Sequence, residues 1–385
     1  MHGRIQTDPR SDGIGGNVGM KKQELGGWLF ENGGPVIRYR AATELLPQNA
    51  SLDIRRLTAE MLQSPQARVW LERLIPPRLL NSSTTTQTVQ TSGINEIHNS
   101  KPTALENALA KLADFGLKKG MPELDQRTLP YRKWMEENTK RPSSNVYNKF
   151  GLACAAAFLA RAGYFHEPDV RYLLKMRLDM VHDFARKGDY DIYANPRKYL
   201  RRLPVIKPEL TPGGDCRLPL IYDIAGWAAC LPECGTKEEL AKADTIISYI
   251  LDKDYQKFPW GYGIMGDGTG RKWSLGWSVY LDRYKGAPDR KSPHRSIVHA
   301  ISLLINFKAA RHHWWFKESL DHLEGFRTNE GTYRFPPDYL QEKNVGYWVN
   351  GVHMGLEGIR RTDRALELES TFWMAKFHQL LSKPI

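Results

Sequence analysis

Apolar residues recur at intervals of three and four along most of this chain. Val36, Tyr39, Ala42, Leu45 and Leu46, then Ile54, Leu57, Met61 and Leu62, keep the helical period, with Pro47, Pro65 and Pro76 between the runs. In PTALENALAKLADFGLKKG the residues Ala104, Leu105, Ala108, Leu109 and Leu112 mark one buried helix face, ended by Gly116 or Gly120. Tyr131 to Asn138 reads as another helix. NVYNKFGLACAAAFLARAGYF is apolar nearly all round and predicts an inner helix; EPDVRYLLKMRLDMVHDFARKG after it opens on Glu167, Pro168 and Asp169, a helix start, and carries charge on one side. LPLIYDIAGWAACLP and TKEELAKADTIISYILDKDY predict a further pair, the second capped by Thr236 with Glu239 three residues on. The pattern amounts to about fourteen helices with little strand, an all-α chain.

Three stretches break the period. Residues 81 to 100 are polar and rich in β-branched side chains, which suits a surface loop or a small hairpin. Residues 256 to 277, QKFPWGYGIMGDGTGRKWSLGW, hold six glycines and three tryptophans. The third runs from Gly188 to Ala229, where five prolines and Gly213-Gly214 forbid a continuous helix. It interleaves Asp189, Asp191, Asp215 and Asp223 with Tyr190, Tyr193, Tyr199 and Tyr222 and with Arg197, Arg201, Arg202 and Arg217. A long irregular segment inside a compact domain is where function concentrates.

Composition changes this picture little. A chain of 385 residues, 41% apolar and 25% charged, can bury a large core. The first 25 residues are expected to form a flexible extension and 26–385 a single domain. With no apolar run long enough to span a bilayer and no hydrophobic signal core, the expectation is a cytoplasmic protein. Cys154, Cys216, Cys230 and Cys234 fit buried thiols in a reducing compartment. The net charge of +12 is spread over every helix and mixed with acids, which argues against nucleic acid and for an anionic small substrate or simple solubility.

Paired inner and outer helices every 40 to 50 residues, FLARAGYFHEPDVRYLLKMRLDMV as one such hairpin, and the Gln-, Trp- and Gly-rich turn at 256–277 together resemble the α/α-toroid superfamily. That superfamily includes squalene–hopene cyclases and prenyltransferase β-subunits. The resemblance implies a ring of helix hairpins around a central cavity. It departs from the family at its motifs. The cyclases' D-x-D-D becomes Asp189-Tyr190-Asp191-Ile192; the zinc-binding Asp, Cys and His of the prenyltransferases find an echo only in Asp215-Cys216; and the Cys-His-Gly of lanthionine cyclases does not occur.

The expected function is an acid-catalysed cyclase or isomerase for a terpenoid-like substrate, with no cofactor. Asp189 and Asp191, if both face a dry cavity, can share a proton and give the strong acid that alkene protonation needs, oriented by Tyr193. The same acids equally suit a turn after the helix ending at Lys187. Asp215 and Arg217 follow Gly213-Gly214, where backbone N–H groups can cradle an anion, or where Asp215 merely supports a helix start. Tyr222, Tyr262, Trp273, Trp277 and Tyr347 are candidates to hold the apolar body, against the plain alternative of core aromatics. A second reading, a polysaccharide lyase or glycosidase, uses Arg334, Asn350 and His353 beside Tyr347. A third is a helical scaffold without catalysis. Cys216, Cys230 and Cys234 with one histidine make a conceivable zinc set, but their spacing offers no second close pair; no metal site is expected. His294, His299, His312 and His313 read as helix-surface or core residues.

Overall fold

A computed structural model describes residues 24–47, 52–74, 94–140, 146–194, 199–200, 203–259, 261–266, 270–287 and 296–383. The protein is 63% helix and 5% strand, an all-α fold with short strands in its loops. The extension up to residue 23, residues 81–93, Arg197, Arg201, Arg202, Trp260 and His294 lie outside the described residues.

The chain opens with α1 (Leu25–Asn32), α2 (Pro35–Arg40), α3 (Ile54–Gln63) and α4 (Pro65–Arg73). The array that follows alternates two layers. α5 (Leu105–Asp114), α7 (Val146–Leu159), α9 (Ile221–Cys234) and α12 (Ile297–Leu304) pack on one another in succession as the inner layer. α6 (Pro122–Lys140), α8 (Pro168–Ala185), α10 (Lys237–Ile250) and α13 (Lys308–His312) do the same outside them. The division follows the sequence: Gly151, Leu152 and Cys154 to Leu159 of α7 are buried on every side, whereas α8 buries one stripe and exposes Tyr172 and Lys175. After the single turn α11 (Lys253–Gln256) and α14 (Trp314–Glu324), α15 (Asp363–Leu381) returns to pack on α1 and α2, so the two ends of the array meet.

The capping box at Thr236 forms as expected: Thr236 Oγ1 accepts from Glu239 N at 3.2 Å, and Glu239 Oε2 accepts from Thr236 N at 2.8 Å. α8 begins with Pro168 in its first turn. The helix expected at 131–138 is longer, running through Pro130 from Pro122 to Lys140. Within 81–100 the described part holds a helical turn at 94–97.

Two hairpins interrupt the helices. β1 (Tyr199–Leu200) pairs with β2 (Leu203–Pro204), and β3 (Gly263–Gly266) pairs with β4 (Lys272–Leu275), both antiparallel. They join where Ile206 N donates to Ile264 O at 2.8 Å. Gly263, at φ 125°, permits the approach, because a Cβ there would collide with Pro204 O. Among the described residues no helix is long and apolar enough to cross a membrane.

Candidate functional site

Glu106 is the least expected residue of the molecule: a carboxylate with 0% exposure, in the first turn of an inner helix. An acid at a helix N-terminus is favoured by the helix dipole, but full burial still demands partners. Tyr222, in the first turn of α9, donates its hydroxyl to Glu106 Oε2 at 2.7 Å. His98, following the turn at 94–97, places Nδ1 2.7 Å from Glu106 Oε1 and 3.1 Å from the Tyr222 hydroxyl. The contact with Oε1 is poorly aligned for a hydrogen bond, and Oε1 accepts none. The Tyr222 hydroxyl has one proton and gives it to Glu106, so His98 Nδ1–H must donate to the phenolic oxygen. In the neutral ring, Nε2 is then the nitrogen without a proton.

Four aromatic rings enclose the imidazole. Tyr347 stacks on it at 5.2 Å between centroids, while Phe150, Tyr222 and Trp277 meet it edge-on at 4.9, 5.8 and 4.8 Å. Burial, reinforced by the Glu106 charge, pushes the Tyr222 phenol and the Cys154 thiol of α7 well above their usual ranges, and raises the Tyr347 phenol. One residue sets this geometry. Asn107, buried beside Glu106, donates to Asn99 O and Lys101 O, both at 2.9 Å, and accepts from Trp348 N at 2.8 Å. It ties the His98 loop and the Tyr347 loop to the same turn of α5.

His98 lines a cavity of about 400 Å³. Its walls are chiefly apolar: Val146, Phe150 and Leu152 of α7, Leu173 and Met176 of α8, and Met265, Trp273, Leu275 and Trp277 from β3, β4 and the turn beyond. Its polar groups are mostly occupied. Lys149 donates to Asp215 at 2.6 Å and to Gly213 O at 3.1 Å, and Arg177 grips Asp223 at 2.6 and 2.9 Å. A volume of this size takes a drug-sized ligand, and such a lining desolvates it.

The residues singled out from the sequence divide sharply. Tyr222, Trp273, Trp277, Asp215 and Tyr347 gather at this cavity or around His98. Asp189 and Asp191 do not: both are exposed, Asp189 capping the Asp191 backbone N–H and Asp191, 79% exposed, pairing with Lys207. The dry cavity that would turn them into a strong acid is missing, and the turn after Lys187 is their setting. Tyr193 packs edge-on against Phe258, and Arg217 is exposed. The expected anion cradle is closed by the Lys149–Asp215 pair. Tyr262 is wholly buried and bonded to Tyr255 and to Pro219 O, both at 2.6 Å, so it is core rather than lining.

The lyase set is likewise dispersed. Arg334 lies on the surface, 3.6 Å from Asp363 and Glu367. Asn350 lines a separate small void of about 40 Å³ with His299, whose ring burial pushes down to about 3. His353 is buried against Trp70, 3.5 Å from Glu342, whose other oxygen holds the buried Lys111 at 2.6 Å. Cys216 sits on the cavity wall with its thiol raised to about 11 by burial; Cys230 and Cys234 touch each other at 3.4 Å. Among the described residues these three join no metal-competent cluster. His98, Glu106 and Phe150 went unnoticed in the sequence, and Cys154 was read only as a buried thiol. The one signal was Glu106-Asn107 beside the apolar face of a helix that also carries Lys111 and Asp114.

An all-α array with an apolar cavity and a buried His–Glu–Tyr cluster defines the class of site. No family model, curated protein or solved structure matches the chain.

Proposed function

We propose that the protein is an enzyme of proton transfer, an isomerase acting on a largely apolar, terpenoid-like substrate bound in the 400 Å³ cavity. The observation behind this reading is the hydrogen-bonded chain from Glu106 through Tyr222 to His98 at the wall of an apolar chamber. Glu106 and Tyr222 hold the imidazole in one tautomer and stabilise its charge when it takes a proton at Nε2. The surrounding rings shield a cationic imidazolium or a developing carbocation. Isomerisation suits the cluster better than cyclisation, since initiating a cyclisation by alkene protonation calls for an acid stronger than imidazolium. A carbohydrate lyase or glycosidase is disfavoured by a lining that is chiefly apolar.

The test is incubation with a panel of mono- and sesquiterpenoid alcohols, acids and ketones in D₂O, with mass spectrometry of the recovered material. Uptake of solvent deuterium at carbon, with an isomer appearing, is the expected result. A panel that neither gains deuterium nor changes Trp277 fluorescence on titration contradicts the reading.

A further inference from the structure

His98, Glu106 and Cys154 bring one ligand atom each to within 4.8 Å of the other two, the only such trio among the described residues. We infer that these three residues bind a zinc ion at the wall of the cavity, with its fourth coordination position open to the chamber. The inference rests on the cavity being the active site, and it names what powers the chemistry there.

The donor set comes first. A sulfur, an imidazole nitrogen and a carboxylate oxygen are what zinc takes, while calcium and magnesium call for oxygen alone. Zinc bonds of about 2.0–2.3 Å in a tetrahedron put neighbouring ligand atoms roughly 3.3–3.8 Å apart, within small side-chain adjustments of the observed grouping. Glu106 supplies the independent observation. It has no exposed surface, its Oε1 accepts no hydrogen bond, and among the described residues no lysine or arginine pairs with it. Its neighbours are the Tyr222 hydroxyl on Oε2 and the His98 ring 2.7 Å from Oε1, and a divalent cation held between His98 and Oε1 would satisfy the oxygen that accepts no hydrogen bond. Cys154 is also fully buried and feels the Glu106 charge. Without a cation the two acidic groups oppose each other; with one they become joint ligands.

The outer contacts fit the same assignment. Tyr222 donates to Oε2 and leaves Oε1, the oxygen 2.7 Å from His98 Nδ1, for the ion. A ligating carboxylate is ordinarily oriented by such a bond. His98 is partly exposed, at 17%, on the cavity wall, while Glu106 and Cys154 are fully buried behind it, so the imidazole is the ligand that connects the ion to the chamber. Binding displaces the thiol proton and moves the ring proton from Nδ1 to Nε2, so with the ion present His98 would serve as ligand, and a zinc-held water would supply the base.

The experiment is cobalt(II) titration of the full-length protein after chelator treatment, followed in the near ultraviolet, beside the zinc content of protein grown with added zinc. Expected are about one metal per chain, the capacity of a single site, and a thiolate-to-cobalt charge-transfer band that zinc competes away. Cys154→Ser should abolish the band and Glu106→Gln should weaken binding at least tenfold, while Asp189→Asn/Asp191→Asn leaves both unchanged. The wild-type band stands as evidence even if a variant fails to fold. No band, or a band that survives Cys154→Ser, overturns the site. If metal does not bind but His98→Gln still stops deuterium uptake, the zinc falls and the proposed reaction stands. If metal binds and no substrate takes up deuterium, the reaction falls and the site stands.

Discussion

Tyr222 joins stability to chemistry in a single hydroxyl, because it satisfies Glu106 and fixes the His98 tautomer at once. Tyr222→Phe removes one oxygen and leaves Glu106 Oε2 buried without a donor. The expected cost is about 1–3 kcal/mol in urea unfolding, together with loss of deuterium exchange. A variant as stable as wild type contradicts this role for the Tyr222 hydroxyl. Asn107 acts differently: it touches neither the cavity nor the His98 ring but anchors both loops beside them. Asn107→Ala should therefore lower turnover through misplaced His98 and Tyr347 while leaving the charge of the site intact. Restoration of the rate by Asn107→Asp or Asn107→Gln would separate positioning from collapse. None of this was legible in the sequence, where Glu106 and Asn107 are two polar letters in a helix whose apolar face was evident. What makes them matter is contact with residues 116 and 241 positions away.

At the scale of elements, the periodic runs were readable and the irregular ones were not. Apolar spacing alone located the inner helix α7 and the outer helix α8, since each period reflects how many sides of a cylinder are covered. The segment after Lys187 drew attention for its density of Asp, Tyr and Arg, yet only Asp215 and Asp223 of its four aspartates touch or brace the cavity. The difference lies in tertiary partners. Arg177 of α8 grips Asp223 twice, donates to Cys216 O and reaches Leu218 O at 3.3 Å; Asp223 in turn accepts from Leu220 N at 2.9 Å. This buried pair is what fastens the irregular segment to the outer layer and starts α9. Arg177→Met should cost about 3–5 kcal/mol by leaving Asp223 charged and unpaired. The double variant Arg177→Met/Asp223→Leu should recover most of it. A single variant within 1 kcal/mol of wild type would show that the segment is held by something else.

The whole molecule should lose stability in acid in two overlapping windows. His299 is kept neutral by burial down to about pH 3, with Arg161 adding to the effect, whereas an unfolded histidine protonates near 6.5. Between those values the unfolded chain binds a proton that the folded one refuses, so stability falls as pH drops through this range, by at most about 1.4 kcal/mol per pH unit. Glu44, between α2 and α15, is held near 2 against burial by the Arg40 and Lys376 charges. Its stabilisation is complete above about 4.5 and disappears as pH falls towards 2. Denaturation measured from pH 3 to 7 should show His299→Leu with a flatter slope above pH 4.5; an unchanged slope contradicts the assignment. The all-α architecture was visible from periodicity because every layer repeats it. The location of the site was not, because a cavity forms only where distant helices and two hairpins close around it.

The central claim, that chemistry occurs at His98 and not at the exposed acids, is tested most directly by solvent-deuterium incorporation into a turned-over substrate, compared between two variants. His98→Gln should slow it by about 10²–10⁴-fold, the usual contribution of a positioned acid–base group, while Asp189→Asn/Asp191→Asn keeps the wild-type rate. Retention of the rate in His98→Gln with its loss in the double aspartate variant would return the active centre to the segment after Lys187.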